Sequence, residues 1–224
     1  MSARLDTASM QRLGGSLGSH PAAIYRDEQG QRWYVKSLES AAHARNEWLA
    51  AQPYRLAGAP TLCYRRCLNP EQLATAWVDL DKRRIAAFSE AERRQAQHWL
   101  AVHAWLANWD PAGFEGDNQG VFQGQVLTLD VGGALLYRAF GDPKGRAFGE
   151  QVREIDSLRH ESGNPHAQRL FGAMSEAQVR EAIRVVTAIP DARIRQLLSE
   201  HGGSEALAGK LLARKADLAR RLQT

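Results

Sequence analysis

Six side chains in this 224-residue sequence have types and an order that could do chemistry on a phosphate: Lys36, Glu47, Asp110, Asp117, Asn118 and Asp130. Asn108-Trp109-Asp110 opens a polar stretch that closes at Asp117-Asn118, and Leu129-Asp130-Val131-Gly132-Gly133 follows, with Asp130 twelve residues beyond Asn118. Mg²⁺ takes carboxylate and amide oxygens at some corners of its octahedron and phosphate oxygens and water at the others, so one Asn and one Asp across a short hairpin suit it. The glycine pair after Asp130 would leave room for phosphates and metal. Lys36 ends the strand-like run Trp33-Tyr34-Val35-Lys36, and Glu47 stands eleven residues later in Ala44-Arg45-Asn46-Glu47-Trp48. Such a carboxylate can pair with the ammonium and hold it against phosphate oxygens. Taken singly, these two are an exposed strand lysine and a solvated helix glutamate; their order before Asp110 and Asp130 gives them weight. Upstream, Gly14-Gly15-Ser16-Leu17-Gly18-Ser19 would let backbone N–H groups approach a phosphate closely, although most stretches of this kind are simple turns.

The elements that must position these residues are legible from periodicity. Ala23-Ile24-Tyr25-Arg26 and Gln31-Arg32-Trp33-Tyr34-Val35-Lys36 flank the turn Asp27-Glu28-Gln29-Gly30 and predict a hairpin. Ala41, Ala44, Trp48, Leu49, Ala51 and Leu56 recur at helical spacing from Ser40 to about Ala57, before Gly58 and Pro60. Runs around 61–64 and 73–78 predict further strands. Ser89 and Glu92 form a capping-box signature for a second long helix reaching about Asn108, with Trp99, Val102, His103 and Leu106 on one face. A polar loop then feeds a small hairpin that turns at Gln123-Gly124. Beyond it the chain reads as helical, with a cap at Ser175 and Gln178 and helices near 176–188, 191–201 and 204–222. The total is α+β, strands first and helices later, with a lobe boundary near residue 80.

Composition bounds the function without naming it. With 44% hydrophobic and 24% charged residues the chain is an ordinary globular protein, neither collagen-like nor disordered, and its length permits one domain or two small lobes. A formal charge of +4 favours acidic partners but does not single out nucleic acid. Cys63 and Cys67 match neither a redox CxxC pair nor half a zinc site, so they read as free thiols. The first residues lack the apolar core of a secretory signal, and no stretch approaches a membrane span, which is the expectation for a cytosolic protein or for a bacterial effector injected by a dedicated machine. His98 and His103 are five apart, the wrong spacing for a shared zinc face, and no Gly-x-Ser-x-Gly nucleophile elbow occurs. Three basic runs remain: Arg65-Arg66, Lys82-Arg83-Arg84, and a C-terminal helix with five cations. The last reads first as a core-facing helix with a solvated face, and leaves contact with an anionic membrane open.

Over residues 12 to 140 the sequence resembles a small, atypical member of the protein-kinase-like fold, similar to the phosphatidylinositol-kinase, HipA-type and bacterial effector kinases. Asn108-Trp109-Asp110 through Asp117-Asn118 and Leu129-Asp130-Val131-Gly132-Gly133-Ala134 carry a likeness to the type II phosphatidylinositol 4-kinases. The resemblance implies a two-lobed ATP site: a small antiparallel β-rich N-lobe over 1–80 with the Gly-rich loop and one helix, and a helical C-lobe over 81–224. It implies that Gly14, Gly15, Ser16, Gly18 and Ser19 cover the nucleotide and that Lys36, oriented by Glu47, meets the α- and β-phosphates. Ala76-Trp77-Val78-Asp79 offers backbone groups to adenine, Asp110 is the catalytic base, and Asn118 and Asp130 hold Mg²⁺, with Asp117 the alternative to Asn118. The implied activity is an ATP- and Mg-dependent kinase acting on a protein hydroxyl, its own included, or on a small alcohol or lipid head group. The other reading is a pseudokinase or interaction module that binds nucleotide without turnover. Several departures mark the chain as atypical. Asp110 to Asn118 is longer than the usual Asp-x-x-x-x-Asn, Asn108-Trp109 replaces His-Arg, Val131 replaces the Phe of Asp-Phe-Gly, and no Ala-Pro-Glu follows.

Overall fold

The computed structural model describes residues 4–16 and 21–223. Gly18 and Ser19 of the Gly-rich loop lie outside the described residues. Alternating apolar and polar residues build a five-stranded antiparallel sheet from β1 (Gln11–Gly14), β2 (Ala22–Arg26), β3 (Arg32–Ser37), β4 (Tyr64–Arg66) and β5 (Gln72–Ala76), in the order β1-β2-β3-β5-β4. The expected hairpin is β2–β3, in which Ala22 faces Lys36 and Arg26 faces Arg32. Its turn is pinned by Asp27, whose carboxylate accepts from the backbone of Gln29 and Gln31 at 3.1 and 2.8 Å. β1 had no counterpart in the periodicity; it is exposed and irregular, with a register shift between Arg12 and Gly14.

One helix crosses this sheet. α1 (Ala41–Leu56) starts where Ser40 accepts from the backbone N–H of His43, and ends before Gly58, whose φ of +81° only glycine adopts freely. Its inner face is wider than the apolar stripe suggested and includes Asn46, Glu47 and Gln52, all buried.

The second long helix is broken. α2 (Glu90–His98) carries the expected capping box of Ser89 and Glu92, but Trp99 leaves the helical conformation and α3 (Leu100–Trp105) sets off separately. The cause is burial: α2 is amphipathic with a solvated side, whereas all six residues of α3 are buried, so the chain must turn at Trp99 to run through the core. The small hairpin forms as expected from β6 (Gln119–Phe122) and β7 (Gln125–Thr128), with Gln123 and Gly124 both at positive φ in the turn.

Five helices complete the chain: α4 (Glu154–His160), α5 (Pro165–Phe171), α6 (Glu176–Thr187), α7 (Asp191–Glu200) and α8 (Glu205–Arg221). α6 has the capping box expected at Ser175 and Gln178. α8 turns Leu207, Leu211 and Leu218 into the core, and its five cations all have protein partners. Lys210 donates to the carbonyl of Phe148, Lys215 to Ile189 and Asp191, Arg220 to Asp217, and Arg221 to Asp156 and Val152. Of these cations Arg214 is fully buried, whereas Arg220 is exposed and pairs with Asp217 on the same helix; no helix among the described residues is long and apolar enough to cross a membrane.

Arg214 is the deepest of these cations, with no exposed surface. It donates to the carbonyls of Ala104, Trp105, Gly149 and Gln151 and pairs with Glu154 at 2.7 Å. Glu154 accepts in turn from the indole of Trp109 at 3.0 Å, so α8 is bolted both to α3 and to the start of the Asp110 loop. Removing one partner of a buried pair strands the other charge. Glu154→Ala is therefore expected to lower the unfolding free energy by roughly 3–5 kcal/mol in urea titration; a loss below about 1 kcal/mol, typical of a surface pair, would show that the carbonyls alone satisfy Arg214.

Candidate functional site

A cleft of about 320 Å³ opens beneath the five-stranded sheet, and Tyr34, Lys36 and Thr75 come to its wall from strands β3 and β5. Trp77 and Val78 follow β5, while Asp117, Asn118, Leu129 and Asp130 reach the same wall from the two ends of the β6–β7 hairpin. Most residues singled out by type and order therefore meet around one space.

Lys36 is the centre of the arrangement. Its ammonium donates to Glu47 and to Asp130, each at 2.8 Å, although the three residues are far apart in sequence. Burial works against the charge of Lys36, but Asp130 and Glu47 together outweigh it and hold its pKa well above the ordinary lysine value. Glu47 is 3% exposed, which corrects the solvated helix glutamate that its neighbours suggest. One ammonium between two carboxylates leaves a net negative charge, which suits a cation at the more exposed member, Asp130.

Gly132 and Gly133 make a tight approach possible, and the space they leave is filled by protein. A Cβ on Gly132 would stand 2.9 Å from Glu47 Oε2, and one on Gly133 would stand 3.2 Å from Asn108 Oδ1. The Gly132 N–H also donates to Asp130 Oδ1 at 2.7 Å, turning the carboxylate.

The loop from Asp110 to Asn118 folds back on itself. Asn118 Nδ2 donates to the Asp110 carbonyl at 2.8 Å and, more weakly, to its carboxylate at 3.3 Å. That leaves Asn118 Oδ1 without a partner among the described residues while the side chain borders the cleft. The fold-back needs glycine at Gly113, with φ of +84°, where a Cβ would lie 2.6 Å from Asp117 Oδ1. Asp110 accepts from the Gly113 N–H at 3.1 Å. Burial, then the nearby charge of Asp130, push the Asp110 pKa up to about 6, against the hydrogen bonds from Gly113 and Asn118.

Residues outside the predicted set hold this loop in place. Asn108 accepts from the Asp110 N–H at 3.1 Å and donates to the Tyr54 hydroxyl at 3.0 Å. Tyr54 on α1 then meets His103 Nδ1 at 2.8 Å. His103 is fully buried, and burial lowers its pKa to about 3, so the ring is neutral and a core residue. Lys144 is buried too, donating to the carbonyls of Ala107, Gly133 and Leu135 at 2.7, 2.7 and 3.1 Å. Two of those residues, Ala107 and Leu135, have positive φ without being glycine, so the ammonium stabilises backbone that would otherwise resist its conformation. Asn108 was visible only as a departure from His-Arg, and Lys144 stands in a Gly-Asp-Pro-Lys-Gly turn that looks exposed.

The ends of the cleft differ. At Val78, just past β5, neither backbone N–H nor C=O makes a hydrogen bond among the described residues, which leaves both free for a planar heterocycle. Trp77 is fixed beside it by a bond from its indole to Asp79 at 2.7 Å, and Asp79 is gripped by Arg32 at 2.6 Å. Gly14, Gly15 and Ser16 are not on the described wall of the cleft, and a Cβ on Gly15 would touch nothing within 4 Å.

An antiparallel sheet crossed by one helix, joined to a helical bundle and sharing a cleft with it, is the two-lobed α+β protein-kinase-like fold. Across 99% of this chain and 95% of the other, it superposes on the proinflammatory kinase CtkA of Helicobacter pylori with a TM-score of 0.58 at 11% identity. Weaker likenesses, both with a TM-score of 0.39, are to the macrolide 2′-phosphotransferase MphH of Brachybacterium faecium (12% identity, 96% and 92% coverage) and an aminoglycoside phosphotransferase of Alicyclobacillus acidocaldarius (14%, 98% and 93%). No family model and no curated protein matches the sequence.

The raised pKa of Asp110 has a measurable signature. Because its folded-state pKa lies above the unfolded value, the native state holds a proton that the unfolded chain has lost, and stability falls as pH rises from about 4 to about 6. Asp110→Asn lacks this titration. Its stability relative to the parental protein should climb across that interval and level off above about pH 7; urea unfolding at several pH values that gave a constant difference would place the carboxyl in ordinary solvent.

Proposed function

We propose that the chain is an ATP- and Mg-dependent phosphotransferase acting on an alcohol group. The observation that carries this reading is the Lys36 ammonium, 2.8 Å from both Glu47 and Asp130, on the wall of a cleft whose other end presents the free backbone of Val78. We set the lobe boundary near residue 80, with 1–80 above the cleft and 81–224 below, since the wall draws on residues either side of Leu80.

In this reading the backbone of Trp77 and Val78 takes adenine, between the apolar side chains of Leu62 and Leu129. Lys36 meets the α- and β-phosphates, and Glu47 holds its ammonium in place. Asp130 and Asn118 Oδ1 are the groups that would hold Mg²⁺, and Asp117 adds a second carboxylate beside Asn118. The bound cation would neutralise charge on the transferring phosphoryl group. Asp110 accepts the proton of the acceptor hydroxyl as its oxygen bonds to the γ-phosphorus; the bond to the bridging oxygen breaks and ADP leaves with that electron pair. The acceptor is a protein hydroxyl, the chain's own included, or a small alcohol or lipid head group. Two free thiols, Cys63 exposed and Cys67 buried, are compatible with work in a reducing cytosol, whether of the producing cell or of one into which the protein is delivered.

Incubation with γ-labelled ATP and Mg²⁺, parental protein beside Asp130→Ala, tests the reading. Label on the protein or ATP turnover is expected in the parental chain and abolished in the variant; nucleotide binding without either would mark a non-catalytic binding module. A ligand at about 100 times its Kd should stabilise the fold by about 2.7 kcal/mol, so thermal shift reads binding separately from turnover. The rate should also fall below about pH 6 as Asp110 takes up a proton, an acid limb that a spectator Asp110 would not produce.

A further inference from the structure

Of the cations buried among the described residues, Arg159 and Arg214 keep their charge at any pH the fold survives, whereas Lys144 can lose its proton. Lys144 also joins the two acidic loops. Its ammonium has three N–H groups and three acceptors: the carbonyl of Ala107, which leads into the Asp110 loop, and those of Gly133 and Leu135, just past Asp130. Its Nζ lies over the ring of Trp109, 4.9 Å from the ring centre.

The other peptide groups of this stretch are held independently. From α1, Asn46 donates to the Ala134 carbonyl at 3.0 Å and accepts from the Leu136 N–H at 3.1 Å, and the Leu135 N–H donates to the Leu106 carbonyl at 2.7 Å. Asn46 and Lys144 thus take alternate carbonyls of residues 133–135. A neutral amine has two N–H groups and a lone pair, so on deprotonation at least one of the three Lys144 carbonyls loses its donor and faces a lone pair instead. Two of them belong to Ala107 and Leu135, held at φ of +51° and +60°, a region that residues other than glycine resist. The change is local, because the Asn46 and Leu106 contacts involve no titrating group.

We propose that Lys144 is a positioning residue whose proton sets the alignment of the two acidic loops: charged, it draws Ala107 toward Gly133 and Leu135; neutral, it releases one side, and Asp110 loses its register with Asp130. The inference rests on the phosphotransferase reading, in which transfer needs both carboxylates in place. The surroundings of Lys144 bring the change close to neutral pH. Burial lowers its pKa to about 7; Glu154 on α4 opposes the fall, while Arg214 on α8 and Arg138 in its own segment add to it. From the end of α3 and from residues 133–135, uncharged carbonyls meet the ammonium. Lys36 and Tyr64, which feel the charge of Asp130, are held well above their ordinary values and keep their protons in this range.

Two measurements on the full chain test this. In an NMR titration of carbon-13- and nitrogen-15-labelled parental protein, the Lys144 Cε signal should shift with a midpoint near pH 7. The amides of Asn108, Ala134 and Leu136, which share peptide bonds with the three carbonyls, should move at the same midpoint. A Lys144 still charged at about pH 9, or one that titrates while those amides stay still, overturns the proposal. The second measurement is the rate of phosphoryl transfer at saturating ATP and Mg²⁺, which should fall about tenfold between about pH 6.5 and pH 8.5 in the parental protein. Lys144→Arg, which keeps its charge, should lack that alkaline fall, and Lys144→Met should lack it too while running slower throughout. A parental profile that stays level over this interval overturns the proposal, and so does a fall that persists in either variant, because it would belong to another group. A parental protein that transfers no phosphate at any pH defeats the phosphotransferase reading instead, and the NMR titration still decides whether the ammonium holds both loops.

Discussion

One ammonium shared by two carboxylates sets the geometry on which the rest of the molecule depends. Lys36 comes from the sheet, Glu47 from α1 and Asp130 from the loop after β7, and each pairing is 2.8 Å long. In a largely dry setting a missing partner is costly, so the three elements are held to one relative position. Gly132 allows the Asp130 loop to come close enough, and the Tyr64 hydroxyl secures the strand below by donating to the Leu129 carbonyl at 3.1 Å. The cluster is at once the joint between the two halves of the fold and the electrostatic floor of the cleft.

A second set of ties carries that constraint to the other loop. Tyr54, on the helix that bears Glu47, holds Asn108, and Asn108 holds the backbone of Asp110. The Tyr54 hydroxyl also meets His103 Nδ1 at 2.8 Å, which brings α3 into the same set of ties. Lys144 meanwhile links the backbone before Asp110 to the backbone after Asp130. Positive-φ positions at Ala107 and Leu135 show where the chain is bent against its preference so that both acidic residues arrive together.

Much of this was legible in the order of residues. Lys36, Glu47, Asp110, Asn118 and Asp130 were singled out by type and order, and the fold joins Lys36 to Glu47 and Asp130 and folds Asn118 back onto Asp110. Turns and caps were equally readable, because Ser89, Ser175 and Gln123-Gly124 act through neighbouring backbone. What escaped is what distant packing decides. The buried state of Glu47 depends on a loop 85 residues away at Gly132, and the break at Trp99 depends on α3 being enclosed on every side. α4 and α5 are too short, at 7 residues each, to display a helical period. Lys144 and Arg214 look like solvated cations because a sequence gives no sign of carbonyls gathered around them.

Arg214 also bears on how the chain is made. Its hydrogen bonds reach Ala104 and Trp105 across sequence separations of 110 and 109 residues, and those carbonyls end the helix that leads into the Asp110 loop. During synthesis the strands and α1 emerge before α8 and can pair, but the carbonyls at the end of α3 have no cation to meet until α8 has left the ribosome. The Asp110 loop is therefore anchored to α8 only after that helix has appeared. Until then a nascent chain has its sheet and α1 formed and its Asp110 loop unanchored, a state in which binding of the wrong partner or aggregation competes with folding.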